Sequence, residues 1–116
     1  MSSSAPPIPE MPVVPYFLVL LVPGRNHETR VESLVAHIEF IRTMSAANVI
    51  LLGGELEPPI EGAEAALLLR VASRAEAEEW MSKDPRVKND VHRPRIVTWN
   101  LVGIAPGAID PVWTRG

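Results

Sequence analysis

The sequence contains no cysteine. This excludes a disulfide framework, a thiol nucleophile and a metal site built from thiolates. Long apolar runs are also absent, because the longest, residues 16–22, is far shorter than the roughly 20 residues that a membrane-spanning helix needs. Positive charge is not in excess, since the formal net charge is −3. We therefore expect a cytoplasmic protein that binds neither membranes nor nucleic acid.

Several catalytic and cofactor-binding motifs are missing as well. The glycines match neither a dinucleotide-binding loop nor a phosphate-binding loop, and no serine lies at a glycine-flanked nucleophile elbow. The three histidines form no His-x-x-x-His pair, so no spacing typical of a zinc site is present. The sequence therefore predicts neither a metal nor a cofactor.

The 116 residues suffice for one domain with its own core. Residues 1–14 are rich in Ser, Pro and Ala and lack the basic start and apolar stretch of a signal peptide, which predicts a disordered or loosely draped N-terminal arm. Residues 15–104 carry the regular patterns of the folded domain. Residues 105–116 contain two prolines and two glycines and are predicted to form a C-terminal tail.

Hydrophobic periodicity and turn residues predict the element order βαββαβ. The predicted strands are residues 16–22, 49–52, 65–72 and 95–104, and the predicted helices are residues 28–47 and 74–82. A long acidic loop, residues 55–64, joins the second and third strands. This order is typical of a ferredoxin-like α+β fold, a four-stranded antiparallel sheet with both helices on one face.

The first three predicted strands are apolar on both faces instead of alternating with polar residues. Because both helices cover the same face, the other face needs a second cover. We therefore predict a homodimer in which two sheets face each other.

His37 lies in the first predicted helix, at the edge of its apolar stripe. At about 100° per residue, the stripe consists of Val31, Leu34, Val35, Ile38, Ile41 and Met44. An imidazole has an unperturbed pKa near 6.5, so a histidine at this boundary suits proton transfer near neutral pH. A buried histidine that hydrogen-bonds a carbonyl group fits the same position.

Asp84 ends the second predicted helix and is the best candidate partner for His37. In this topology the two helices lie side by side, so the loop after the second helix can bring a carboxylate to the first helix. An aspartate there would fix the tautomer of the histidine, although the same residue also suits an Asp-Pro turn. Five basic residues surround it in sequence and fit either an anion-binding group or a solvated surface: Lys83, Arg86, Lys88, Arg93 and Arg95.

These features together resemble the YCII-related family of small bacterial proteins over residues 16–104. The matching segments are the opening strand over residues 16–22, Ala36-His37-Ile38-Glu39-Phe40-Ile41, Leu51-Leu52-Gly53-Gly54, Ala75-Glu76-Ala77-Glu78 with Trp80, Asp84-Pro85-Arg86-Val87 and Val97-Thr98-Trp99. The resemblance implies a dimeric α/β barrel with a pocket centred on His37 and Asp84. Two positions depart from the family pattern: Arg86 replaces a frequent aromatic residue, and Asn48 replaces a frequent glycine.

The family resemblance also implies the kind of reaction. Most members have no assigned function, one is a dehydrochlorinase, and related dimeric barrels include lactone isomerases and cofactor-free oxygenases. We expect a cofactor-independent lyase or isomerase that acts by elimination, dehydration or lactone isomerisation on a small anionic or phenolic substrate. The alternatives are a non-catalytic small-molecule binding or accessory protein and a cofactor-free monooxygenase.

In the expected enzyme, His37 moves a proton and Asp84 holds its ring. Residues predicted to bind the substrate are Gly53 and Gly54 through their backbone amides, Trp99 by stacking on a ring if the register of its strand turns it to the pocket, and Arg86 and Arg25 in loops at the pocket mouth.

Overall fold

The computed structural model describes residues 15–108. The predicted N-terminal arm, residues 1–14, and the end of the predicted tail, from residue 109, lie outside the described residues. Contacts group Tyr16–Trp99 into one compact unit, which holds the helices and nearly all of the sheet. In the second unit, the described residues 100–108 are mostly exposed.

The described chain forms four strands and three helices. They are β1 (Pro15–Pro23), α1 (Leu34–Ala46), β2 (Ile50–Ile60), β3 (Ala63–Leu69), α2 (Arg74–Met81), α3 (Pro85–Lys88) and β4 (His92–Asn100). A short 3-10 helix, His27–Thr29, precedes α1. The strands form one sheet in the order β2-β3-β1-β4, and β3 is antiparallel to β1 and to β2. This is the predicted ferredoxin-like α+β fold, and none of its described helices is long and apolar enough to cross a membrane.

The core lies between the sheet and the helices. Alternate residues of β1 point into it, as strand geometry requires, and they meet side chains from β3, α1 and α2. The cluster includes Phe17, Val19, Leu21, Met44, Leu67, Leu69, Ala77 and Met81. The intervening residues Leu18 and Leu20 lie on the other face of the sheet and are half-buried. That face is therefore apolar as well, as predicted.

The inward face of α1 differs from the predicted stripe. Val31 and Val35 are 74% and 70% exposed, and of the helix residues only Met44 is buried. Phe40 and Ile41 are partly buried and pack against the core, so the inward face is rotated toward His37. His37 shares this face because Phe40, Ile41 and Met44 follow it by three, four and seven residues.

The start of α1 also differs from the prediction, which placed it at residue 28. A 3-10 helix and turns occupy residues 27–33. The reason is a tertiary contact: the Arg30 carbonyl accepts a hydrogen bond from the Arg86 guanidinium at 2.5 Å, while the Leu34 amide bonds the Val31 carbonyl at 3.2 Å. A carbonyl that accepts from a distant side chain does not accept from the amide four residues later, which is the bond that a regular α-helix needs. The predicted cap at Asn48 is confirmed, because Asn48 has a positive φ of 60° after the helix.

The prediction of a long acidic loop between the second and third strands is wrong. β2 continues through Gly53 and Gly54, which pair with Leu67 and Ala66 of β3. The connection is a tight turn at Glu61 and Gly62, whose φ angles of 49° and 84° are both positive. Such φ angles suit a two-residue hairpin turn, so most of the predicted loop lies in paired strands, and β3 begins at residue 63 and ends at residue 69.

The second half of the chain follows the prediction with shifted boundaries. The Ser73 side chain accepts from the Glu76 amide at 3.1 Å, which confirms one of the two hydrogen bonds of the predicted capping box at the start of α2. The Glu76 carboxylate, however, bonds the amide of Ala72 and not that of Ser73. The polar connection contains α3, which the prediction lacked, and β4 spans residues 92–100 instead of 95–104. The last strand therefore begins three residues earlier than predicted, at His92, which is buried.

Candidate active site

The centre of the candidate site is a hydrogen-bonded pair formed by His37 of α1 and Asp84 at the start of α3. The His37 Nδ1 atom lies 3.0 Å from Asp84 Oδ1 and 2.9 Å from Asp84 Oδ2. The Asp84 side chain is fully buried, and the His37 side chain is 13% exposed. The structure therefore brings together the two residues that the sequence paired.

Local sequence explains why the carboxylate is fixed. Asp84 precedes Pro85, which occupies the first turn of α3, and Asp84 Oδ1 accepts a hydrogen bond from the Arg86 amide at 2.9 Å. This is the usual geometry of an N-terminal helix cap followed by proline. The Asp-Pro turn and the contact with His37 are thus not alternatives, because one carboxylate makes both.

The carboxylate also determines where the His37 ring carries its proton. An ionised carboxylate only accepts hydrogen bonds, so His37 Nδ1 carries a hydrogen and donates it to Asp84. In the neutral ring, the lone pair is then on Nε2, and no described residue hydrogen-bonds that atom. Nε2 is therefore free to accept a proton from a molecule beside the ring.

Arg86 braces the segment before α1 against α3. Its Nε donates to Ser33 Oγ at 3.1 Å, and its other contact is to the Arg30 carbonyl. The residue is 9% exposed. Burial lowers the pKa of Arg86, and the negative charge of Asp84 opposes this effect. Arg86 thus places positive charge close to the His37–Asp84 pair.

A second polar cluster lies next to His37. Glu64 Oε1 is 2.8 Å from His27 Nε2 and 3.1 Å from His92 Nε2, so both rings donate to one carboxylate oxygen. The rings of His37 and His92 meet edge to face with their centroids 6.1 Å apart. The cluster therefore adjoins the pair, although no hydrogen bond joins the two rings.

The charges of this cluster follow from its surroundings. Burial lowers the pKa of His92, against the hydrogen bond to Glu64 that raises it, and the charge of Arg86 lowers it further. Partial burial raises the pKa of Glu64, but the hydrogen bonds from His27 and His92 outweigh it and hold this pKa below its usual value. Glu64 is therefore ionised and His92 neutral near pH 7.

Two adjoining clefts give access to His37. The first, called the glycine cleft here, has a volume of about 570 Å³ and is lined by Leu21, His37, Ile41, Ser45, Ile50, Leu51, Leu52, Gly53, Gly54, Glu55, Ala65 and Leu67. The second, called the histidine cleft, has a volume of about 620 Å³ and is lined by Arg30, Val31, Leu34, His37, Ile38, Glu55, Leu56, Glu57, Pro59, Glu64, Ala65, Arg86 and His92. Both volumes suit a small organic molecule.

Three of the five predicted substrate-binding residues line these clefts. Gly53 and Gly54 line the glycine cleft, and Arg86 lines the histidine cleft. A side chain at Gly54 would meet no atom within 4 Å, whereas a Cβ at Gly53 would come within 2.5 Å of Leu67 Cδ2. The strand thus leaves open space above Gly54.

The structure places Arg25 and Trp99 outside the lining of these two clefts. Arg25 lines a different cleft and lies 3.9 Å from the Asp90 carboxylate. Trp99 lines neither cleft beside His37. It is three residues beyond Ile96, which packs against the core, so strand alternation places Trp99 on the opposite face of the sheet.

Sequence reasoning missed Glu64, His27 and His92 as neighbours of His37. The sequence predicts loops at all three positions, whereas Glu64 lies in β3, His27 in the 3-10 helix and His92 at the start of β4. They come together because β3 and β4 begin near the 3-10 helix. No spacing in the sequence signals this, since 37 and 28 residues separate Glu64 from the two histidines.

Comparison with known proteins is consistent with this description. The sequence profile of the YCII-related domain matches residues 16–100. A solved structure of 5-chloro-2-hydroxyhydroquinone dehydrochlorinase from Burkholderia phenoliruptrix AC1100, in complex with 2,5-dihydroxybenzoquinone, shares the fold with a TM-score of 0.58. Its sequence is 19% identical, and the alignment covers 73% of this chain and 93% of that chain. A search of curated proteins gave no match.

The profile spans the four strands except the first residue of β1, and it includes α1, which carries His37, and Asp84 with the helix α3 that it caps. The match therefore covers the elements that build the candidate site as well as the sheet beneath it, and the chain belongs to the YCII-related family.

Proposed function

We propose that the protein is a cofactor-independent lyase or isomerase that acts on a small anionic or phenolic molecule. The observation that carries this proposal is the buried Asp84 carboxylate bonded to Nδ1 of His37, a residue that lines two clefts of suitable size. A dehydrochlorinase with the same fold supports elimination as the reaction class.

In the proposed reaction, His37 Nε2 removes a proton from the substrate while an anionic group leaves it. The substrate then loses one acid molecule, such as HCl, and Asp84 stabilises the positive ring that forms. In an isomerisation, the same ring returns the proton at another position. A held histidine of this kind contributes roughly 10²- to 10⁴-fold to a rate.

Positive charge and backbone groups are available to hold the substrate. Arg86 lines the histidine cleft, so its guanidinium is near a carboxylate or phenolate bound beside His37. The open space above Gly54 allows a substrate oxygen to approach the backbone. We assign anion binding to Arg86 and close backbone approach to the glycine pair.

We further propose that the chain works as a homodimer with facing sheets. The sheet face opposite the helices carries Leu18 and Leu20, together with Val97 and Trp99, which are 42% and 46% exposed. A second copy would bury this apolar face.

The proposal is tested by turnover of 5-chloro-2-hydroxyhydroquinone, with released chloride and quinone absorbance as readouts. We expect wild-type turnover and at least a 100-fold loss in His37→Asn. Glu39→Gln, at an exposed position of the same helix, is the matched control and should keep full activity. Equal activity of His37→Asn and wild type would refute the mechanism. Saturable binding of 2,5-dihydroxybenzoquinone without turnover of chlorinated or hydroxylated rings would favour a binding protein.

A further inference from the structure

We propose that His27, Glu64 and His92 form a binding site for a divalent transition metal ion, with Zn²⁺ as the best-suited ion. The three residues come from the 3-10 helix, β3 and β4, and each offers one ligand atom. This goes beyond the proposed function, because the site does not include the His37–Asp84 pair and would exist whether or not that pair is catalytic.

The geometry needs little change to hold an ion. Glu64 Oε1 is 2.8 Å and 3.1 Å from the two histidine nitrogens, and all three atoms lie within 4.8 Å of one another. Ligands about 2.1 Å from a zinc ion are separated by about 3.0 Å at right angles and about 3.4 Å in a tetrahedron. Both distances from the carboxylate are close to these values. The ion would replace the two ring hydrogens that now bond to Glu64.

The donor set selects the class of metal. Two imidazoles and one carboxylate suit zinc and neighbouring transition metals, whereas magnesium and calcium prefer oxygen ligands alone. Three protein ligands leave at least one coordination position open. Glu64 and His92 both line the histidine cleft, so a bound ion would present its open position to the same space as His37.

The surroundings predict only moderate affinity. His92 is 4% exposed, and its Nδ1 atom has no hydrogen-bond partner among the described residues. A histidine bound to metal normally donates its second ring nitrogen to a carboxylate or carbonyl, and loss of such a partner lowers affinity by roughly 10- to 100-fold. We therefore expect a micromolar dissociation constant for Zn²⁺.

The test is calorimetric titration of the chelator-treated full chain with Zn²⁺. We expect one ion per chain and a higher melting temperature on binding. Glu64→Gln keeps an oxygen that accepts from both histidines but loses the negative charge, so its zinc affinity should fall at least 10-fold. Glu55→Gln, which alters an exposed carboxylate in the same cleft, should bind like wild type.

Two further variants make the result decisive. His27→Ala removes a ligand at a half-buried position and should weaken binding as Glu64→Gln does, even if one of the two variants folds poorly. His37→Asn should bind zinc normally, which separates this site from the His37–Asp84 pair. Absence of binding at millimolar zinc, binding that is unaffected by Glu64→Gln and His27→Ala, or binding that is lost in His37→Asn would each overturn the proposal.

Discussion

Replacing Asp84 separates its structural role from its chemical role. The carboxylate makes two kinds of contact: it caps α3 through the Arg86 amide and it accepts from His37 Nδ1. Asp84→Ala removes both contacts. Asp84→Asn keeps an oxygen for the cap, but it loses the charge and turns an NH₂ donor toward His37, so the ring must accept at Nδ1 and carry its proton on Nε2.

The expected magnitudes follow from these contacts. Loss of a helix cap costs about 1 kcal/mol, and loss of a buried charged hydrogen bond costs about 2 kcal/mol. Asp84→Ala should therefore lower the free energy of unfolding by about 3 kcal/mol, and the melting temperature of a domain of this size by roughly 12–24 °C. Asp84→Asn keeps the cap and should lose about 1 kcal/mol. Its turnover should nevertheless fall by roughly 10²- to 10⁴-fold, because Nε2 no longer accepts a proton.

Two assays check this prediction. Thermal unfolding gives the stability of both variants, and ¹⁵N NMR of the histidine rings gives the position of the proton without any knowledge of the substrate. In wild type the hydrogen of neutral His37 should be on Nδ1, and in Asp84→Asn on Nε2. The reasoning would be refuted if Asp84→Asn kept the wild-type tautomer and full turnover, or if it were as unstable as Asp84→Ala.

Three further predictions concern other parts of the fold. Gly24→Ala should lower the free energy of unfolding by about 1–3 kcal/mol in a denaturant titration, because its Cβ would lie 2.3 Å from the Asp90 carbonyl oxygen. Gly54→Ala, whose Cβ would meet no atom within 4 Å, should lower this free energy by less in the same assay. Leu20→Glu, on the sheet face opposite the helices, should convert the proposed dimer to a monomer in light scattering, and an unchanged mass would exclude facing sheets. The hydrogen bond from Arg93 lowers the pKa of Asp90, so its stabilising effect is complete above about pH 4 and is lost as the pH falls. Arg93→Gln should therefore reduce stability at neutral pH and narrow the difference from wild type near pH 3, whereas a constant difference would contradict the assignment.

The fold could be predicted because its signals are local. Strand β1 is an apolar run bounded by prolines, the α2 start carries a capping box at Ser73, and Asn48 marks the end of α1. Each of these features depends on a few neighbouring residues. The order of the elements then leaves few topologies.

The errors arose where distant residues decide local structure. The Arg86 guanidinium donates a hydrogen bond to the Arg30 carbonyl, and α1 therefore begins after this residue. The glycine pair was expected to end the second strand, but Gly53 leaves the room that the Leu67 side chain needs across the sheet. In both places a contact made after folding overrides the local preference.

The candidate site was predictable only in part, for the same reason. His37 and Asp84 were paired from topology and family resemblance, and their contact is present. The cluster around Glu64 was not found, because its members depend on where β3 and β4 begin. The face on which Trp99 lies was not predictable either, because it depends on the register of β4.

The central claim is that His37 Nε2 meets the substrate in the clefts beside α1. It is tested most directly by ¹⁵N NMR of the histidine rings during titration with 2,5-dihydroxybenzoquinone. We predict a saturable shift of the His37 Nε2 resonance that disappears in Asp84→Asn, with the hydrogen of wild-type Nδ1 retained on its bond to Asp84. A ligand that binds while the His37 resonances stay unchanged would contradict the account.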